Sequence, residues 1–386
     1  MRHFDFLSTA DRQRLFFRAP EHFTASAEPA LLALALGATL YSPASRPNLA
    51  LDIAARAAAG VVSLVVCLED AVADIELAAA EQNMVAQLRE YAQTGATGPL
   101  LFVRVRAADQ ISMTVAGLGE DAGILTGFVL PKFTDDTGTE YLDAVVEAGA
   151  RIGRRLYVMP VLESREIIFA ESRLEALLGV QQLLDKYREH VLAVRIGATD
   201  LAAAYGLRRS RDLTVYDVRM IADVISDVVN IFGRADGSGY SVTGPVWEYF
   251  SATERMFKPQ LREAPFVEHS EPRLRAELIA ADLDGLIREV ALDRANGLIG
   301  KTVIHPTHVA AVHALSVVTH EEFADAADIL ETSGGGGVAC SPYRNKMNES
   351  KPHSAWARST MLRARAFGVA QEGVSFVDLL GASLHQ

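Results

Sequence analysis

Short apolar runs alternate along this chain with longer stretches in which apolar residues recur every three or four positions. The runs are typical of buried strands and the longer stretches of amphipathic helices, so the alternation predicts β/α units around a parallel sheet. Eight runs qualify as strands, at 38–44, 62–70, 99–106, 127–132, 155–164, 190–200, 240–247 and 297–306. Eight such strands predict an α/β fold of the (β/α)8 TIM-barrel type, with a doubly wound open sheet as the alternative.

The clearest helical periodicity lies at 166–186 and 212–232, each between two of these runs. The pattern changes at "SGGGGV" (333–338), where consecutive glycines disfavour helix and predict a flexible joint. We therefore expect a barrel domain over 1–315 and a C-terminal appendage over 316–386. Within the appendage, residues 338–386 are predicted to cover a barrel mouth, their own or a neighbour's, or to support oligomerisation. Packing on the flank of the barrel is the alternative.

Composition excludes several classes of partner. Hydrophobic residues make up 49% and charged residues 22% of the chain, and the formal charge of -12 disfavours nucleic acid or an anionic membrane as a partner. The apolar run at 30–41 is too short to span a bilayer, so no membrane segment is expected. Cys67 and Cys340 are too few and too far apart for a disulfide framework, which favours a cytoplasmic protein.

Ionisable side chains gather where the predicted strands end. In a barrel these carboxyl ends converge on one mouth, and six of the eight runs carry an ionisable residue there. Two carboxylates on neighbouring strands with an arginine nearby suit a hard divalent cation and an anionic substrate. Each residue alone has a structural explanation, such as a helix cap for Asp200 or an interior ion pair for Arg104. The residues are Glu69, Asp70, Arg104, Arg106, Lys132, Glu163, Asp200 and His305.

Seven motifs together carry a family resemblance over about residues 38 to 330. They are "LYSPASRP", "CLEDAV", "VRVR", "FVLPK", "VLES", "GATDLA" and "GLIGKTVIHPTHV". In order and spacing they resemble the HpcH/HpaI aldolase and citrate lyase β-subunit family. The C-terminal stretch "SPYRNKMNESKPHSAWA" resembles a CitE-like subfamily of carbon–carbon bond lyases from tellurium-resistance-type gene clusters. The resemblance implies a carbon–carbon lyase that assembles as a homo-oligomer, a trimer or a multiple of one.

The resemblance also implies a role for each matching residue. Glu163 and Asp200 match metal ligands, and Mg²⁺, with Mn²⁺ as an alternative, suits two carboxylates better than Zn²⁺ does. Arg104 matches an arginine that contacts the substrate carboxylate or the oxyanion formed. Glu69 and Asp70 match an acidic pair near the metal, assigned here to the catalytic group with Arg104.

Several roles remain open within this resemblance. Arg46 and Lys132 are further candidate substrate-binding residues, although Lys132 also suits a structural ion pair with an acid of the rim. His305 is either the catalytic base or a structural residue, and Lys301 is a less favoured Schiff-base nucleophile. The basic stretch "LRRSRD" (207–212) is a candidate for binding a coenzyme A phosphate, or simply a solvated helix start.

Three departures from the family pattern leave the substrate open. Ala44 replaces a glycine after the first strand, Arg106 adds a charge after Arg104, and Thr243 replaces an aspartate. The expected activity is a Mg²⁺-dependent carbon–carbon bond lyase or aldolase acting on a 2-keto acid or an acyl thioester, including a coenzyme A thioester, through a stabilised enolate. The alternatives are a hydroxyacyl-CoA thioester hydrolase on the same fold and a catalytically silent barrel used for binding.

Overall fold

The computed structural model describes residues 1–250, 273, 283–332 and 337–384. Eight parallel strands close into a barrel in which each strand pairs with the next along the chain and the last pairs with the first. This closure confirms the predicted (β/α)8 barrel over the open sheet, and every predicted run overlaps one strand. The barrel strands are β2 Ala38–Pro43, β3 Ser63–Cys67, β4 Leu100–Arg104, β5 Leu125–Leu130, β6 Tyr157–Leu162, β7 Val194–Ile196, β8 Val242–Trp247 and β9 Ile299–Val303.

The strands read as continuous apolar runs because both of their faces are covered. Every residue of β3, β5 and β6 is buried, since one face meets the barrel interior and the other the surrounding helices. Close strand contact also explains the glycine within "GLIGKTV". Gly300 has φ +55°, and a Cβ there would lie 2.4 Å from the carbonyl oxygen of Gly37. Only glycine lets β9 run beside the start of β2 in this conformation.

Helices connect the strands and cover the barrel. They are α1 Thr9–Leu15, α2 Pro29–Ala35, α3 Leu49–Ala58, α4 Leu77–Gln93, α5 Asp109–Leu118, α6 Asp135–Arg151, α7 Arg165–Ile168, α8 Arg173–Lys186, α9 Ala198–Ala203, α10 Arg219–Phe232, α11 Leu283–Ala295, α12 Thr307–Ser316, α13 His320–Thr332, α14 Ser354–Phe367 and α15 Phe376–Leu384. None of the helices in the described part of the chain has both the length and the apolar character needed to cross a membrane.

The two helices predicted from periodicity start differently in the structure. The one expected at 166–186 is interrupted between α7 and α8, because Phe169 has an extended backbone with ψ 130°. The one expected at 212–232 begins only with α10. It is preceded by a 3-10 turn at Val215–Asp217, which Thr214 and Asp217 close with a capping box.

The C-terminal appendage packs together with the first residues of the chain. Strand β1, Phe16–Arg18, pairs antiparallel with β12, Val369–Ala370, while β10, Val338–Cys340, pairs with β11, Met347–Glu349. Helix α14 packs on α2 and α13, and α15 packs on α12. Since α2 leads into the amino end of β2, these contacts favour packing on the flank over a lid on the chain's own mouth. Coverage of a neighbour's mouth stays a prediction.

His3 connects the N-terminal segment to α2 and α14. The His3 Nε2 atom lies 2.9 Å from the carbonyl oxygen of Ala35, and the His3 ring stacks on Phe367 at 4.2 Å. Of the predicted glycine joint, residues 333–336 lie outside the described residues. Its last two residues are described: Gly337 has φ +136°, and Val338 begins β10.

Candidate active site at the carboxyl end of the barrel

A cavity of about 590 Å³ opens where the barrel strands end. One part of its lining is ionic, with Asp70, Arg104, Glu163 and Asp200. Much of the remaining lining is apolar and comes from α9, the segment before α10, α10 itself and β8, with Ala202, Ala203, Leu207, Val215, Val218, Ile221 and Val246. The cavity is therefore suited to a ligand with one charged end and one less polar part.

Arg104, the last residue of β4, connects three of the predicted acids. Its Nη2 atom lies 2.9 Å from Glu163 Oε1 and 2.9 Å from Glu69 Oε2, and its Nη1 atom lies 3.6 Å from Asp70 Oδ2. Only 11% of the Arg104 side chain is exposed. The guanidinium is thus already surrounded by carboxylates before any ligand arrives.

Lys132, just after β5, contacts two of the same acids. Its backbone N–H donates to Glu163 Oε1 at 2.9 Å, and its Nζ atom donates to Glu69 Oε1 at 2.8 Å. The residue has φ +47°, in the left-handed region that a lysine rarely adopts. This conformation lets one residue hold both carboxylates, as the structural ion-pair alternative for Lys132 expected.

Gly197, the first residue of the "GATDLA" motif, leaves room for the side chain of Glu163. A Cβ at Gly197 would lie 2.0 Å from Glu163 Oε2, so any other residue would displace that carboxylate. Asp200 lies within the first turn of α9, whose N-cap is Gly197, so the helix-cap explanation of Asp200 is wrong. The charge of Asp200 acts on both Glu163 and Asp70, and all three carboxylates line the same cavity.

The acids of this site are unequally compensated. Burial raises the pKa of Glu163 to about 7, because the charge of Arg104 offsets it only in part. Burial and the neighbouring Glu69 raise the pKa of Asp70 to about 6. Burial alone would raise the pKa of Glu69 as well, but its contacts with Asp70, Arg104 and Lys132 lower it to about 2. Negative charge therefore remains in excess around Glu163.

We call these residues the mouth cluster: four carboxylates, Glu69, Asp70, Glu163 and Asp200, with two cations, Arg104 and Lys132. A divalent cation would offset the remaining charge, and the oxygen-only donor set suits Mg²⁺ or Mn²⁺. Within the described ranges, no three His, Cys, Asp or Glu side chains are arranged to hold a metal. Two protein carboxylates, Glu163 and Asp200, would leave the other positions to water and substrate.

Arg46 and His305 belong neither to the cavity lining nor to the mouth cluster. Arg46 pairs with Asp52 at 2.5 Å on the exposed surface. His305 Nδ1 lies 2.8 Å from Thr307 Oγ1, and its ring stacks on Phe250 at 4.6 Å. Burial, with the charge of Arg56, lowers the pKa of His305. These contacts favour the structural alternative for His305.

Arg106 is hydrogen-bonded to the loop that carries Glu69 and Asp70. Its Nε atom donates to the carbonyl oxygen of Leu68 at 2.7 Å, and its Nη2 atom donates to that of Glu69 at 3.2 Å. The guanidinium also contacts Asp74 and the carbonyl oxygen of Val72. The extra charge that sets this chain apart from the family pattern thus orders the loop after β3.

Lys301 belongs to a second group of charges, beside the barrel. Its Nζ atom lies 2.9 Å from Glu289 Oε1 and 2.6 Å from Asp293 Oδ2, both on α11, and its side chain is fully buried. Arg209 of the basic stretch also pairs with Glu289. We call Arg209, Glu289, Asp293 and Lys301 the sealed cluster. Its geometry argues against a Schiff base at Lys301, while Arg208 is left exposed on the cavity lining.

Two lining residues were missed by the sequence interpretation. Glu248 directly follows β8, and its Oε1 atom accepts a hydrogen bond from Thr199 at 2.9 Å, while its buried Oε2 atom has no partner in the described structure. Its position after the seventh run could have identified it. Arg195 lies inside β7, where its charge interrupts an apolar run. That interruption was the available signal.

A closed parallel barrel with carboxylates and an arginine at the carboxyl ends of its strands is the arrangement typical of TIM-barrel enzymes. The sequence model of the C–C bond lyases of the TIM-barrel fold matches residues 30–369, so the chain belongs to this family. It is accordingly a carbon–carbon lyase. A search of curated protein sequences finds no match.

Solved structures show the same fold at low sequence identity. Mycobacterium tuberculosis CitE, in complex with magnesium, acetoacetate and coenzyme A, is 20% identical, with a TM-score of 0.53 over 86% of this chain and 99% of its own. A citrate lyase from Burkholderia xenovorans is 16% identical, with a TM-score of 0.60 over 87% and 93%. Haloferax volcanii malate synthase is 14% identical, with a TM-score of 0.50 over 71% and 72%. At these identities the likeness concerns the fold alone.

Proposed function

We propose that this protein is a Mg²⁺-dependent lyase or aldolase that acts on a 2-keto acid or an acyl thioester through an enolate. The observation that carries the proposal is the excess of carboxylates over cations in the mouth cluster, with Glu163 and Asp200 both on the cavity lining. Buried carboxylates in excess are costly unless a cation joins them. The CitE structure that contains magnesium and coenzyme A supports the same cofactor and substrate class.

Each residue of the site then has a proposed role. Glu163 and Asp200 hold the metal, which when bound would polarise the carbonyl group beside the bond that breaks. Arg104 lies against Glu163 and meets the negative charge that develops on the enolate oxygen. Glu69 holds Arg104 and Lys132 in place at 2.9 Å and 2.8 Å. Asp70, with its raised pKa, lies on the open side of the cluster.

The geometry supports Glu248 over His305 as the base that removes a proton from substrate. Glu248 lines the cavity and has a buried carboxylate oxygen without a partner in the described structure. His305 is hydrogen-bonded to Thr307 and is absent from the lining. A base must lie within hydrogen-bond reach of the proton it takes, which favours the residue inside the cavity.

Exposed Arg208 supports a thioester as one substrate, because it would meet a phosphate of coenzyme A at the cavity edge. We further propose a cytoplasmic homo-oligomer, a trimer or a multiple of one, as the family resemblance implies. Light scattering of the purified chain measures that mass.

Product analysis tests the proposed function directly. The wild-type protein is incubated with oxaloacetate and with a set of hydroxyacyl-CoA thioesters, with Mg²⁺ or with EDTA, and products are identified by mass spectrometry. Carbon–carbon cleavage that EDTA abolishes supports the lyase. Release of free coenzyme A with the acyl carbon skeleton intact would instead support the thioester hydrolase, and no conversion of any compound would contradict both.

A further inference from the structure

Arg195 is a buried cation inside the barrel whose partners are all uncharged. It is 1% exposed, and its Nη1 atom lies 3.5 Å from Thr39 Oγ1 and 3.5 Å from Met159 Sδ. Its Nη2 atom contacts Thr302 Oγ1, and its guanidinium lies 5.6 Å from the centre of the Tyr41 ring. In the described part of the chain, no carboxylate forms an ion pair with it.

This absence matters because an unpaired buried charge is unfavourable. Moving a guanidinium out of water without an opposite charge costs several kcal/mol, so buried arginines normally have acidic partners. Burial lowers the pKa of Arg195, and the charge of Arg104 lowers it further, while Tyr41, whose own pKa burial raises, is neutral near pH 7. Arg104 repels it, so the protein itself does not offset this charge.

Arg195 borders the cavity that a ligand would enter. It lies within β7, below the strand-end acids, and it lines the same cavity together with Tyr41 and Thr302. Arg104, by contrast, is already surrounded by Glu69, Asp70 and Glu163. Of the other arginines on the lining, Arg209 pairs with Glu289 and Arg208 lies exposed at the edge, so Arg195 is the buried one without an acidic partner.

We propose that Arg195 binds a second carboxylate of the substrate, so that the enzyme acts on dicarboxylic rather than monocarboxylic keto acids or acyl groups. The inference rests on the proposed function, since it requires the substrate to enter this cavity. The carboxylate would pair with the planar guanidinium by two hydrogen bonds. Threonines 39 and 302 hold the guanidinium in place on the interior side. Arg195 is thus a specificity-determining residue.

Calorimetric binding of matched ligands in the presence of Mg²⁺ tests the proposal. The probes are oxaloacetate against 2-oxobutanoate and 2-oxoglutarate against 2-oxopentanoate, which differ only by a terminal carboxylate in place of a methyl group. In at least one pair, the wild-type protein should bind the dicarboxylate at least about tenfold more tightly than the monocarboxylate. Arg195→Met should remove this preference, with a larger loss of affinity for the dicarboxylate than for the monocarboxylate.

The outcomes separate the inference from the proposed function. Equal affinity within both pairs, or an unchanged preference in Arg195→Met, would overturn the role of Arg195 and leave the keto-acid site standing. If the wild-type protein bound none of the four probes and cleaved none of the compounds tested above, the proposed function would fail together with the inference.

Thermal unfolding supplies a readout that does not depend on ligand. Because Arg195 lacks an acidic partner, Arg195→Met should leave the melting temperature unchanged or raise it by about 2 °C. The control is Arg209→Met, which removes a buried arginine that pairs with Glu289 and should lower the melting temperature clearly. A fall in Arg195→Met as large as that in Arg209→Met would show that Arg195 is structural.

Discussion

The two charged clusters of this molecule differ in balance and in access. In the sealed cluster, Arg209 and Lys301 meet Glu289 and Asp293, and every member is at most 8% exposed. In the mouth cluster, four carboxylates share two cations beside an open cavity. Equal numbers of opposite charges need nothing more from outside. An excess of one sign is expected where a ligand supplies the remainder.

The contrast separates structural charges from functional ones more clearly than burial does. Glu163 and Lys301 are both buried, and both came from motifs of the family pattern. Lys301 has two carboxylate partners and faces α11, whereas Glu163 has one arginine, shares it with Glu69 and faces the cavity. Counting charges within each cluster therefore supports a structural role for Lys301 and the proposed metal-binding role for Glu163.

The largest expected effect concerns the stability of the sealed cluster. Lys301→Met leaves the carboxylate of Asp293 and the Oε1 atom of Glu289 buried without a cation. The free energy of unfolding should therefore fall by about 3–5 kcal/mol. Glu163→Gln removes a carboxylate from an acidic excess and should leave the same quantity unchanged or slightly higher. Urea denaturation followed by circular dichroism measures both. Equal losses in the two variants would erase the distinction between the clusters.

Metal binding should depend only on the mouth cluster. The double variant Glu163→Gln/Asp200→Asn removes both proposed ligands, and its affinity for Mg²⁺ should fall more than about a hundredfold, beyond the loss usual for an outer-shell residue. Glu289→Gln, in the sealed cluster, is the control for any destabilisation. Isothermal calorimetry at a temperature where all three proteins are folded makes the comparison. Mg²⁺ binding retained by the double variant would exclude these ligands.

Turnover should depend on the planar guanidinium group of Arg104 and not on its charge alone. Arg104→Lys keeps the charge but cannot contact Glu163 and Glu69 with a planar fork, so kcat should fall by about a hundredfold, as when one oxyanion donor is lost. The melting temperature should change little. A variant that melts far below the wild type, but has unchanged turnover per folded molecule, would make Arg104 a structural residue like Arg209.

The smallest effect is expected at Arg46. Its partner Asp52 is also on the surface, so Arg46→Ala should change the free energy of unfolding by no more than about 0.5 kcal/mol and leave KM unchanged. Steady-state kinetics on the substrate found by product analysis measures KM. A tenfold rise would place Arg46 in the substrate site, as the sequence analysis expected.

The barrel was predictable because its strands are short, apolar and evenly interrupted by helices. All eight runs overlap barrel strands, since burial on both faces leaves an apolar signature in the sequence itself. Helix starts were less predictable. The break at Phe169 and the turn at Val215–Asp217 depend on local backbone conformation and capping, which the apolar period does not record.

The site was predictable in part for a similar reason. Strand ends of a barrel converge, so Arg104 and Glu163 could be placed together without knowing any distance. Partners supplied by helices could not. Glu289 and Asp293 meet Lys301 only because one face of α11 packs on β9. Arg195 was overlooked because one charge within an apolar run does not reveal whether a carboxylate lies opposite.

The pairing of β1 with β12 has a consequence for how this chain acquires its structure. Phe16 and Arg18 pair with Ala370 and Val369, and Glu21 pairs with Arg365. Nearly the whole sequence separates these partners. Contacts so distant along the chain form late, because closing such a loop costs entropy before any contact is gained. During synthesis, residues 16–21 therefore cannot complete these contacts until residues 365–370 have emerged, and they are expected to settle late.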